Sequence, residues 1–593
     1  MYERAWFVDA HEIPYKVWEF SKPVAWVTLN STSELDAFFE KIEELSNEGL
    51  WGCGYFTYEL GYLLEPKLKP LLPETSFPLA KFVFFEECFR KRDYFVPKSD
   101  FQLEDVTYGI TSEEYEEGIK RIKHYIASGD VYQINFTFKC RFRFKGDPEC
   151  FFFYLLFSQR CKYGVYLDFG EFQVLSLSPE LFLKRVRGNL WSSPMKGTIK
   201  RGKTFEEDED LKRFLSRDEK NQAENVMIVD LIRNDLGRIC EDGSVFVSEL
   251  FKVETYPTLH QMISTIKGKL KNASIKEVFK AIFPCGSVTG APKIRAMEII
   301  REIEKEPRGI YTGAVGVIFP RNRWIFNVAI RTLVTSKASD GFYGEAGIGS
   351  GVVWDSRAES EFKECLLKAR FFTNAFEEFY LIETIGFKGK DTPLLKYHYK
   401  RLKSSARYFG FSIPEWLKSY EKFKVYLLNR VKGIKKAVKI RISLFPNGGF
   451  EIQTDEFQPW KKDLRVALVK RDFPVSNFTF HKTSLRSHLD AWRERVLKLG
   501  FDEVVFFDEE KRLLEGSISS VFFKDYNDEL LTPPLELGIL RGVFREYMIK
   551  EKGVKERQVY LQDLERGEFF VGNALRGLGK VKEWCILDEK NES

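Results

Sequence analysis

The sequence predicts a protein of mixed helices and strands, divided into at least two large domains. The chain has 593 residues, more than a single hydrophobic core usually organises. Strand-like and amphipathic helical segments alternate along it and end in a long helix near Ala375. Residues 379–385 then read as a fresh strand, Phe-Tyr-Leu-Ile-Glu-Thr-Ile. A first domain over 1–376 and a second over 377–593 are therefore expected.

The first domain is expected to begin with a β-rich part. Residues 1–105 alternate short strands and turns, including a glycine-rich segment at 52–61. A helix follows Ser112, and a long strand is expected over 132–144. Further strands and helices continue to the long helix near Ala375.

Residues 283–293, Phe-Pro-Cys-Gly-Ser-Val-Thr-Gly-Ala-Pro-Lys, form a loop rich in glycine and hydroxyl side chains. An amphipathic helix follows, with Ile294, Met297 and Ile300 at helical spacing. The backbone N–H groups and hydroxyls of such a loop are suited to binding an anion. Cys285 has no adjacent base, so it is expected to pack in the loop rather than react.

The composition excludes several classes of protein. The 92 basic and 87 acidic residues leave a net charge of +5, too small to indicate a nucleic-acid partner or a membrane surface. The longest apolar run, 151–157, is too short to span a bilayer, and the N-terminus lacks the basic and apolar regions of an export signal. Nine cysteines without C-x-x-C pairs are typical of reduced thiols. A soluble protein in the cytoplasm is expected.

The segment 194–198, Pro-Met-Lys-Gly-Thr, places Lys196 between a proline and a glycine. The proline restricts φ, and the glycine lets the backbone approach a ligand closely. A lysine held in this way becomes a nucleophile if burial or a second cation lowers its pKa. For the pentapeptide alone, an ordinary solvated turn lysine is the commoner interpretation. The segments downstream favour a nucleophilic role for Lys196.

Several further motifs follow the loop at 283–293. They are Tyr-Thr-Gly-Ala-Val-Gly at 311–316, Ile-Arg-Thr at 330–332, Gly-Ile-Gly-Ser-Gly at 347–351, and an acid-rich helix start at 355–368. Together, and in this order, these segments resemble the chorismate-binding enzymes, the family of anthranilate synthase, isochorismate synthase and aminodeoxychorismate synthase component I. The resemblance covers roughly residues 110 to 372.

Acidic residues in this region indicate a metal site. Chorismate is a dicarboxylate, so binding it among acids calls for a divalent cation, and hard oxygen ligands favour magnesium. Glu361, Glu364 and Lys368 are three and four residues apart and share one helix face. The resemblance assigns Mg²⁺ to Glu224 and to Glu361 or Glu364, and which of these two contacts the metal stays open. Surface salt bridges are the alternative for either helix alone.

The resemblance also implies a set of residues around the substrate. Tyr311 and Arg331 are implied to bind a carboxylate of chorismate, and His260 is implied to lie beside its ring. Glu180 is implied to protonate the departing hydroxyl. The other implied substrate-binding residues are Ser287, Thr289, Gly349, Gly351 and Lys368.

Two positions indicate which reaction this family member performs. Relatives that add water carry a lysine base where this chain has Gln133, and glutamine cannot act as a base. Ammonia needs no such base, so amination is indicated. Aminodeoxychorismate synthases carry lysine at the position of Lys196, whereas anthranilate synthases typically carry alanine. The expected product is aminodeoxychorismate, formed through a covalent adduct on Lys196.

The second domain has three segments of comparable interest, at 393–402, 480–484 and 514–522. In that order they resemble the fold-type IV pyridoxal-phosphate enzymes, which include aminotransferases and aminodeoxychorismate lyase. The resemblance assigns Lys482 to the covalent bond with the cofactor and to proton transfer. The other implied cofactor-binding residues are Glu515 at the pyridine nitrogen and Arg401, Val543 and Asn573 at the phosphate.

Fold and function follow from the two resemblances. The fold class is α+β: a chorismate-binding domain of β-sheets packed between helices, then a smaller two-lobed α/β fold-type IV domain. A fused enzyme is expected to convert chorismate and ammonia into p-aminobenzoate and pyruvate for folate synthesis. No segment resembles the Gly-x-Cys-x-Gly-x-Gln elbow of glutamine amidotransferases, so a separate subunit is expected to supply ammonia.

Some alternatives stay open at this point. The second domain also suits a transaminase that acts on another substrate, or a scaffold module without a cofactor. The resemblance to fold-type IV enzymes further allows a homodimer through this domain.

Overall fold

The structure is a computed structural model that describes residues 3–93, 101–389 and 392–587. Helices and strands alternate along the chain, which confirms the mixed fold class. No helix of the described residues is long and apolar enough to cross a membrane. All nine cysteines are free thiols.

The chain divides into two compact units. The first comprises residues 1–200 and 211–378, and the second comprises residues 201–210 and 379–593. Residues 201–210 fall inside the sequence-predicted first domain but belong to the second unit.

Within the described residues, the strands of the first unit join in one large sheet system. In chain order they are β1 (Ala5–Asp9), β2 (Tyr15–Leu29), β3 (Trp51–Phe56), β4 (Ala80–Asp93), β5 (Gln102–Tyr108), β6 (Gln133–Lys145), β7 (Tyr163–Asp168), β8 (Phe172–Ser178), β9 (Leu181–Val186), β10 (Asn189–Ser193), β11 (Met195–Lys200), β12 (Phe246–Thr255), β13 (Leu259–Lys269), β14 (Gly290–Ala291), β15 (Ala314–Phe319), β16 (Arg323–Val328), β17 (Thr332–Ala338) and β18 (Gly341–Val352). The long pairing of β6 with β18 and that of β11 with β13 are both antiparallel.

Several helices of the first unit pack against this sheet system through separate apolar clusters. The helices up to residue 378 are α1 (Leu35–Asn47), α2 (Leu60–Leu64), α3 (Ser112–Ala127), α4 (Pro148–Gln159), α5 (Phe205–Arg217), α6 (Glu219–Gly237), α7 (Ile275–Ile282), α8 (Lys293–Ile303) and α9 (Ala358–Thr373). Phe136 and Phe151 lie in a cluster that joins α3, α4, α8 and α9 to the strands. Phe56 and Phe279 lie in another, with α1, α6 and α7. The expected β-structure packed with helices is confirmed.

One local expectation for the first unit is wrong. Residues 35–47 form α1, although only strands and turns were expected there, because Phe38 and Ile42 lie one helical turn apart and are both buried. The helix expected after the loop at 283–293 is α8, in which Met297 and Ile300 are buried and Ile294, in the first turn, is 37% exposed.

The second unit contains two sheets. Its strands are β19 (Leu381–Lys388), β20 (Ala437–Leu444), β21 (Phe450–Asp455), β22 (Leu464–Lys470), β23 (Glu503–Phe507), β24 (Leu513–Gly516), β25 (Ser520–Lys524), β26 (Leu530–Thr532), β27 (Lys555–Glu556), β28 (Glu568–Asn573) and β29 (Gly577–Leu587). Its helices are α10 (Leu395–Tyr408), α11 (Tyr420–Arg430), α12 (Ser487–Lys498) and α13 (Val543–Lys552). β19 to β21 form an antiparallel sheet, and β22 to β29 form a mixed sheet. The two sheets agree with the expected two-lobed fold.

Candidate active sites

In the first unit, β11 carries Lys196 between α6 and β13. Gly197 has a φ of +93°, a conformation that side chains rarely adopt, and an added Cβ would lie 3.0 Å from the Asn221 Oδ1 atom. The Asn225 amide donates to the carbonyl of Lys196 at 3.3 Å, and the Gln261 amide donates to the carbonyl of Gly197 at 2.8 Å. The backbone that presents the lysine is therefore fixed from both sides.

The Lys196 amine lies beside a glycine strand. Its Nζ is 3.8 Å from Glu224 Oε2 on α6. A Cβ added to Gly351 would lie 3.4 Å from this Nζ and 2.9 Å from the Gln133 amide nitrogen. Glycine at this position leaves open the space between the amine and the amide. The sequence-predicted residues Lys196, Glu224, Gly351 and Gln133 are thus brought together.

Glu180 is a buried carboxyl close to the same strand. Burial raises its pKa to about 7, while the Ser287 hydroxyl, the backbone N–H of Met195 and the charge of Lys196 oppose that rise. The Ser287 Oγ donates to Glu180 Oε1 at 2.7 Å. A carboxyl with such a pKa holds a proton for part of the time near neutral pH. Glu180 is therefore suited to donate a proton near Lys196.

His260 and Thr289 are fully buried near these residues. His260 lies on β13 opposite Ile199 of β11, and its Nδ1 is 3.0 Å from Thr255 Oγ1. The Thr289 hydroxyl donates to the carbonyl of Cys285 at 2.9 Å and so holds the loop together. Cys285 is buried, as its expected packing role requires.

Two residues predicted to bind a carboxylate are enclosed by the first unit. A Cβ on Gly347 would lie 2.0 Å from the ring of Tyr311, so the glycine makes room for that ring. The Arg331 guanidinium donates to the Gln159 amide oxygen at 3.1 Å, and burial lowers its pKa from the usual value. Among the described residues no carboxylate is ion-paired with Arg331. The enclosed cation is suited to binding an acid.

Helix α9 presents the predicted face of acids and one lysine. The Lys368 Nζ donates to the carbonyl of Gly349 at 2.9 Å and lies 2.7 Å from Glu364 Oε1. The Glu361 carboxylate makes no hydrogen bond or ion pair with the described part of the chain. These oxygens are hard donors of the kind that magnesium prefers.

The structure does not gather the predicted metal ligands into one cluster. Across residues 3–93, 101–389 and 392–587, no three His, Cys, Asp or Glu side chains are grouped as a metal site. Glu224 contacts Lys196, and Glu364 contacts Lys368. A metal role for Glu224, Glu361 and Glu364 stays a prediction.

In the second unit, the Lys482 amine is buried beside β19. Its Nζ donates to Thr384 Oγ1 at 3.2 Å, and its carbonyl accepts from the backbone N–H of Ile382 at 2.8 Å. Burial, and next the positive charge of Arg401, lower the pKa of Lys482 to about 7. A free amine is thus available near neutral pH, as a covalent bond to an aldehyde requires.

Arg401 is oriented by a buried acid that sequence reasoning missed. Its Nε and Nη2 donate to the two Glu383 oxygens, each at 2.7 Å, and the His398 Nδ1 is 2.7 Å from Glu383 Oε2. Burial alone would raise the pKa of Glu383, but Arg401 and His398 outweigh it and hold that pKa well below its usual range. The sequence did contain a signal for this role, because Glu383 is an acid in the middle of a largely apolar strand.

Glu515 contacts the backbone of Leu540, three residues before α13 begins at Val543. The backbone N–H of Leu540 donates to Glu515 Oε2 at 3.1 Å, and burial raises the pKa of Glu515 to about 7. Gly542 caps α13, where Val543 begins the helix, and an added Cβ would lie 2.7 Å from Ser520 Oγ. A helix start of this kind presents free N–H groups to an anion, so it is suited to a phosphate.

Asn573 supports the same region through a turn. Its Oδ1 accepts from the backbone N–H groups of Leu575 and Arg576, at 3.1 and 2.9 Å. Its Nδ2 donates to the carbonyl of Ile518 at 3.2 Å, in the loop that follows Glu515. Asn573 therefore holds this loop in place.

Comparison with known proteins finds a family model for each of the two parts of the chain. Residues 14–374 match the family model described as chorismate binding enzyme. The chain belongs to the chorismate-binding enzymes. Residues 380–584 match the model described as amino-transferase class IV, which confirms the second resemblance. The class IV match implies pyridoxal phosphate, and the buried Lys482 amine and the backbone N–H groups at the start of α13 fit that cofactor.

Similar proteins come from several organisms. The chain is 42% identical over 269 residues to anthranilate synthase component 1 of Aquifex aeolicus strain VF5, covering 45% of this chain and 54% of that protein. It is 38% identical over 271 residues to aminodeoxychorismate synthase component 1 of Bacillus subtilis strain 168, covering 45% of this chain and 56% of that protein. The chain therefore spans about half the length of these curated relatives.

A solved structure supports the fold of this chorismate-binding enzyme. Anthranilate synthase component I from Streptococcus pneumoniae TIGR4 superposes with a TM-score of 0.53 and 25% sequence identity. The match covers 60% of this chain and 92% of that one.

Proposed function

We propose that this chain catalyses two consecutive steps: amination of chorismate to aminodeoxychorismate, and elimination of pyruvate from that product to give p-aminobenzoate. The observation that carries the proposal is the Lys196 amine beside Gln133 and near a buried, protonatable Glu180, in a chain whose second unit holds the buried amine of Lys482. Relatives named aminodeoxychorismate synthase support the first step.

In the first step, the Lys196 Nζ forms a bond to the ring of chorismate while a ring double bond migrates. The hydroxyl leaves as water with a proton from Glu180. Ammonia then forms the new carbon–nitrogen bond by the reverse migration, and Lys196 leaves with its electron pair. The Gln133 side chain is an amide, which cannot remove a proton from water, and this disfavours hydration of the ring. Arg331 and Tyr311 would hold a substrate carboxylate.

Magnesium would neutralise the carboxylates of the substrate in this site. Glu224, Glu361 and Glu364 are the residues that would hold it, through oxygen atoms. Lys368 would remain paired with Glu364 and bound to the carbonyl of Gly349.

For the second step, bound pyridoxal phosphate supplies an electron sink. Lys482 would hold the cofactor covalently and then, as a free amine, remove the proton from the ring carbon that carries the substrate amine. Glu515 would hold the pyridine nitrogen, and its carboxylate form is favoured once that nitrogen is protonated. Arg401 and the N–H groups at Val543 would bind the phosphate.

We propose further that ammonia comes from a separate glutaminase subunit. Relatives named component 1 support this, because the name implies a second component. A homodimer through the second unit stays a prediction.

The proposal is tested by product analysis of the full chain with chorismate, ammonium, Mg²⁺ and pyridoxal phosphate. Formation of p-aminobenzoate and equimolar pyruvate is expected. Anthranilate as the product would contradict the first step. If aminodeoxychorismate accumulates and the cofactor reacts with a keto acid, the second unit is a transaminase and not a lyase.

The metal assignment predicts a change in magnesium dependence. Replacing Glu224 or Glu364 by glutamine removes a charged oxygen ligand, so the Mg²⁺ concentration for half-maximal amination should rise about ten-fold or more, and KM for chorismate should rise with it. The measurement is an Mg²⁺ titration of aminodeoxychorismate formation. Glu359→Gln, at an exposed residue of α9, the helix that carries Glu364, is the matched control. Full amination in the presence of EDTA would contradict the assignment.

The buried Glu180 predicts a pH dependence. Its pKa of about 7 means that the proton it donates is lost as pH rises through 7, so kcat for amination should fall on the alkaline side. Ser287→Ala removes a hydrogen bond that favours the carboxylate, so the alkaline limb should move to higher pH. The measurement is a pH profile of kcat, with Ser193→Ala as the control because that hydroxyl bonds Thr265 instead. An unmoved limb would exclude Glu180 as the titrating acid.

A further inference from the structure

Residues 201–210 belong to the second unit although they directly follow β11 in the chain. We call these residues the strap. The strap begins immediately after the strand that carries Lys196, and it ends within α5. Its contacts are with residues that surround the candidate cofactor site of the second unit.

A buried ion pair gives the strap a defined conformation. The Arg201 Nε lies 2.7 Å from Asp208 Oδ1, and its Nη2 lies 2.6 Å from Asp208 Oδ2. The backbone N–H of Gly202 donates to the same carboxylate at 2.8 Å. Both charged side chains are almost fully buried. A buried pair of this kind persists only with good geometry, and removal of one partner leaves an uncompensated charge.

The same arginine holds the end of α10. Its Nη2 donates to the carbonyl of Tyr408 at 2.7 Å, and its guanidinium lies 4.1 Å from the centre of the Tyr408 ring. The Tyr408 hydroxyl in turn donates to the carbonyl of Gly202 at 2.7 Å. Tyr408 is therefore bound to the strap through its backbone, its ring and its hydroxyl.

Tyr408 packs against His481, the residue that precedes Lys482 in the chain. The Tyr408 ring lies 4.3 Å from the His481 ring, and the Ser405 Oγ is 2.9 Å from His481 Nδ1. Burial, and next the positive charge of Arg201, lower the pKa of His481 to about 3, so this histidine packs as a neutral ring. Its position fixes the backbone from which the Lys482 side chain starts.

A second attachment joins the strap to Arg541, directly before the glycine that caps α13. The Glu206 carboxylate is 3.4 Å from Arg541 Nη1. The carbonyl of Arg541 accepts from Arg401 Nη1 at 3.3 Å. The strap is thus linked to His481, next to Lys482, through Tyr408, and to Arg401 through Arg541.

We propose that the strap is a positioning element of the second site. Arg201, which is held by Asp208, keeps Tyr408 packed against His481. The position of His481 in turn fixes the position of Lys482. The inference rests on the proposed function only for the role of Lys482. It follows that residues 377–593 do not contain every residue that shapes the cofactor site.

The test is Arg201→Ala in the full chain without cofactor, with two readouts. Competitive labelling of amines over a range of pH, followed by peptide mass mapping, gives the pH at which Lys482 is half-reactive. Hydrogen exchange gives the protection of peptides that cover 401–411 and 478–484. We expect the Lys482 midpoint to rise by about one pH unit as water enters the site. Exchange of both peptides should become roughly ten-fold faster or more.

Three further variants complete the test. Arg201→Lys keeps the charge and should partly restore the Lys482 midpoint. Tyr408→Phe removes only the hydroxyl bond to Gly202 and should shift both readouts in the same direction as Arg201→Ala. It therefore replaces Arg201→Ala if that variant fails to fold. Lys436→Ala breaks an exposed ion pair of the second unit and should change neither readout.

An unchanged Lys482 midpoint with unchanged exchange at 478–484, in a variant whose strap peptide does exchange faster, would overturn the proposal. Neither readout depends on turnover. A failure here is therefore distinguishable from a failure of the proposed function, which product analysis decides.

Discussion

Lys482→Ala should stop release of p-aminobenzoate, lowering its rate on the order of 10³-fold or more, while aminodeoxychorismate still forms. The amine of Lys482 is the buried group of the second unit that both bonds the cofactor and moves the proton in the proposed step. Arginine at this position would not restore a base, because it keeps the positive charge but stays protonated. Chromatography of the reaction, with and without an added independent lyase, measures both products.

The matched control is Lys498→Ala, which removes an exposed lysine of α12 and should leave the rate unchanged. Absorbance of the bound cofactor should be lost in Lys482→Ala and kept in the control. If Lys482→Ala still releases p-aminobenzoate at the normal rate, or if borohydride traps the cofactor on another lysine, the assignment of Lys482 is wrong.

Lys196→Ala should lower formation of aminodeoxychorismate on the order of 10²–10³-fold, because the proposed route runs through a bond to its Nζ. Any residual amination is expected to shift toward anthranilate, since ammonia would then attack the ring directly. Chromatography of the full chain with ammonium as nitrogen donor measures both products.

Lys200→Ala is the control for this variant, because Lys200 is an exposed lysine at the end of the same strand. The second site is expected to process added aminodeoxychorismate normally in both variants. Unchanged turnover and product in Lys196→Ala would exclude the covalent route.

Local sequence patterns predicted the elements that depend on local geometry. The glycine after Lys196 was expected to allow a close approach, and Gly197 has a positive φ that few other residues adopt. The helix that carries Glu364 and Lys368 places them one turn apart, as their spacing requires, and they form an ion pair. The strand expected over 132–144 is β6, from Gln133 to Lys145.

Contacts between distant segments could not be predicted in the same way. Glu383 stands in an apolar strand, and only the fold shows that Arg401 and His398 compensate its buried charge. The strap was assigned to the first domain because its sequence is continuous with β11, and nothing local marks Arg201 as a partner of Tyr408. Pattern reasoning finds helices and turns, but it does not find which buried charge meets which partner across the chain.

The strap also constrains the order in which a newly made chain matures. Arg201 and Tyr408 are 207 residues apart, and a ribosome that adds about 5–20 residues per second needs roughly 10–40 s to make that stretch. Throughout this interval Tyr408 has not been made and cannot cover Arg201 and Asp208. The segment after β11 therefore stays exposed to solvent. A nascent chain interrupted before residue 408 would therefore expose the strap to proteases, even if the strands that precede it had already folded.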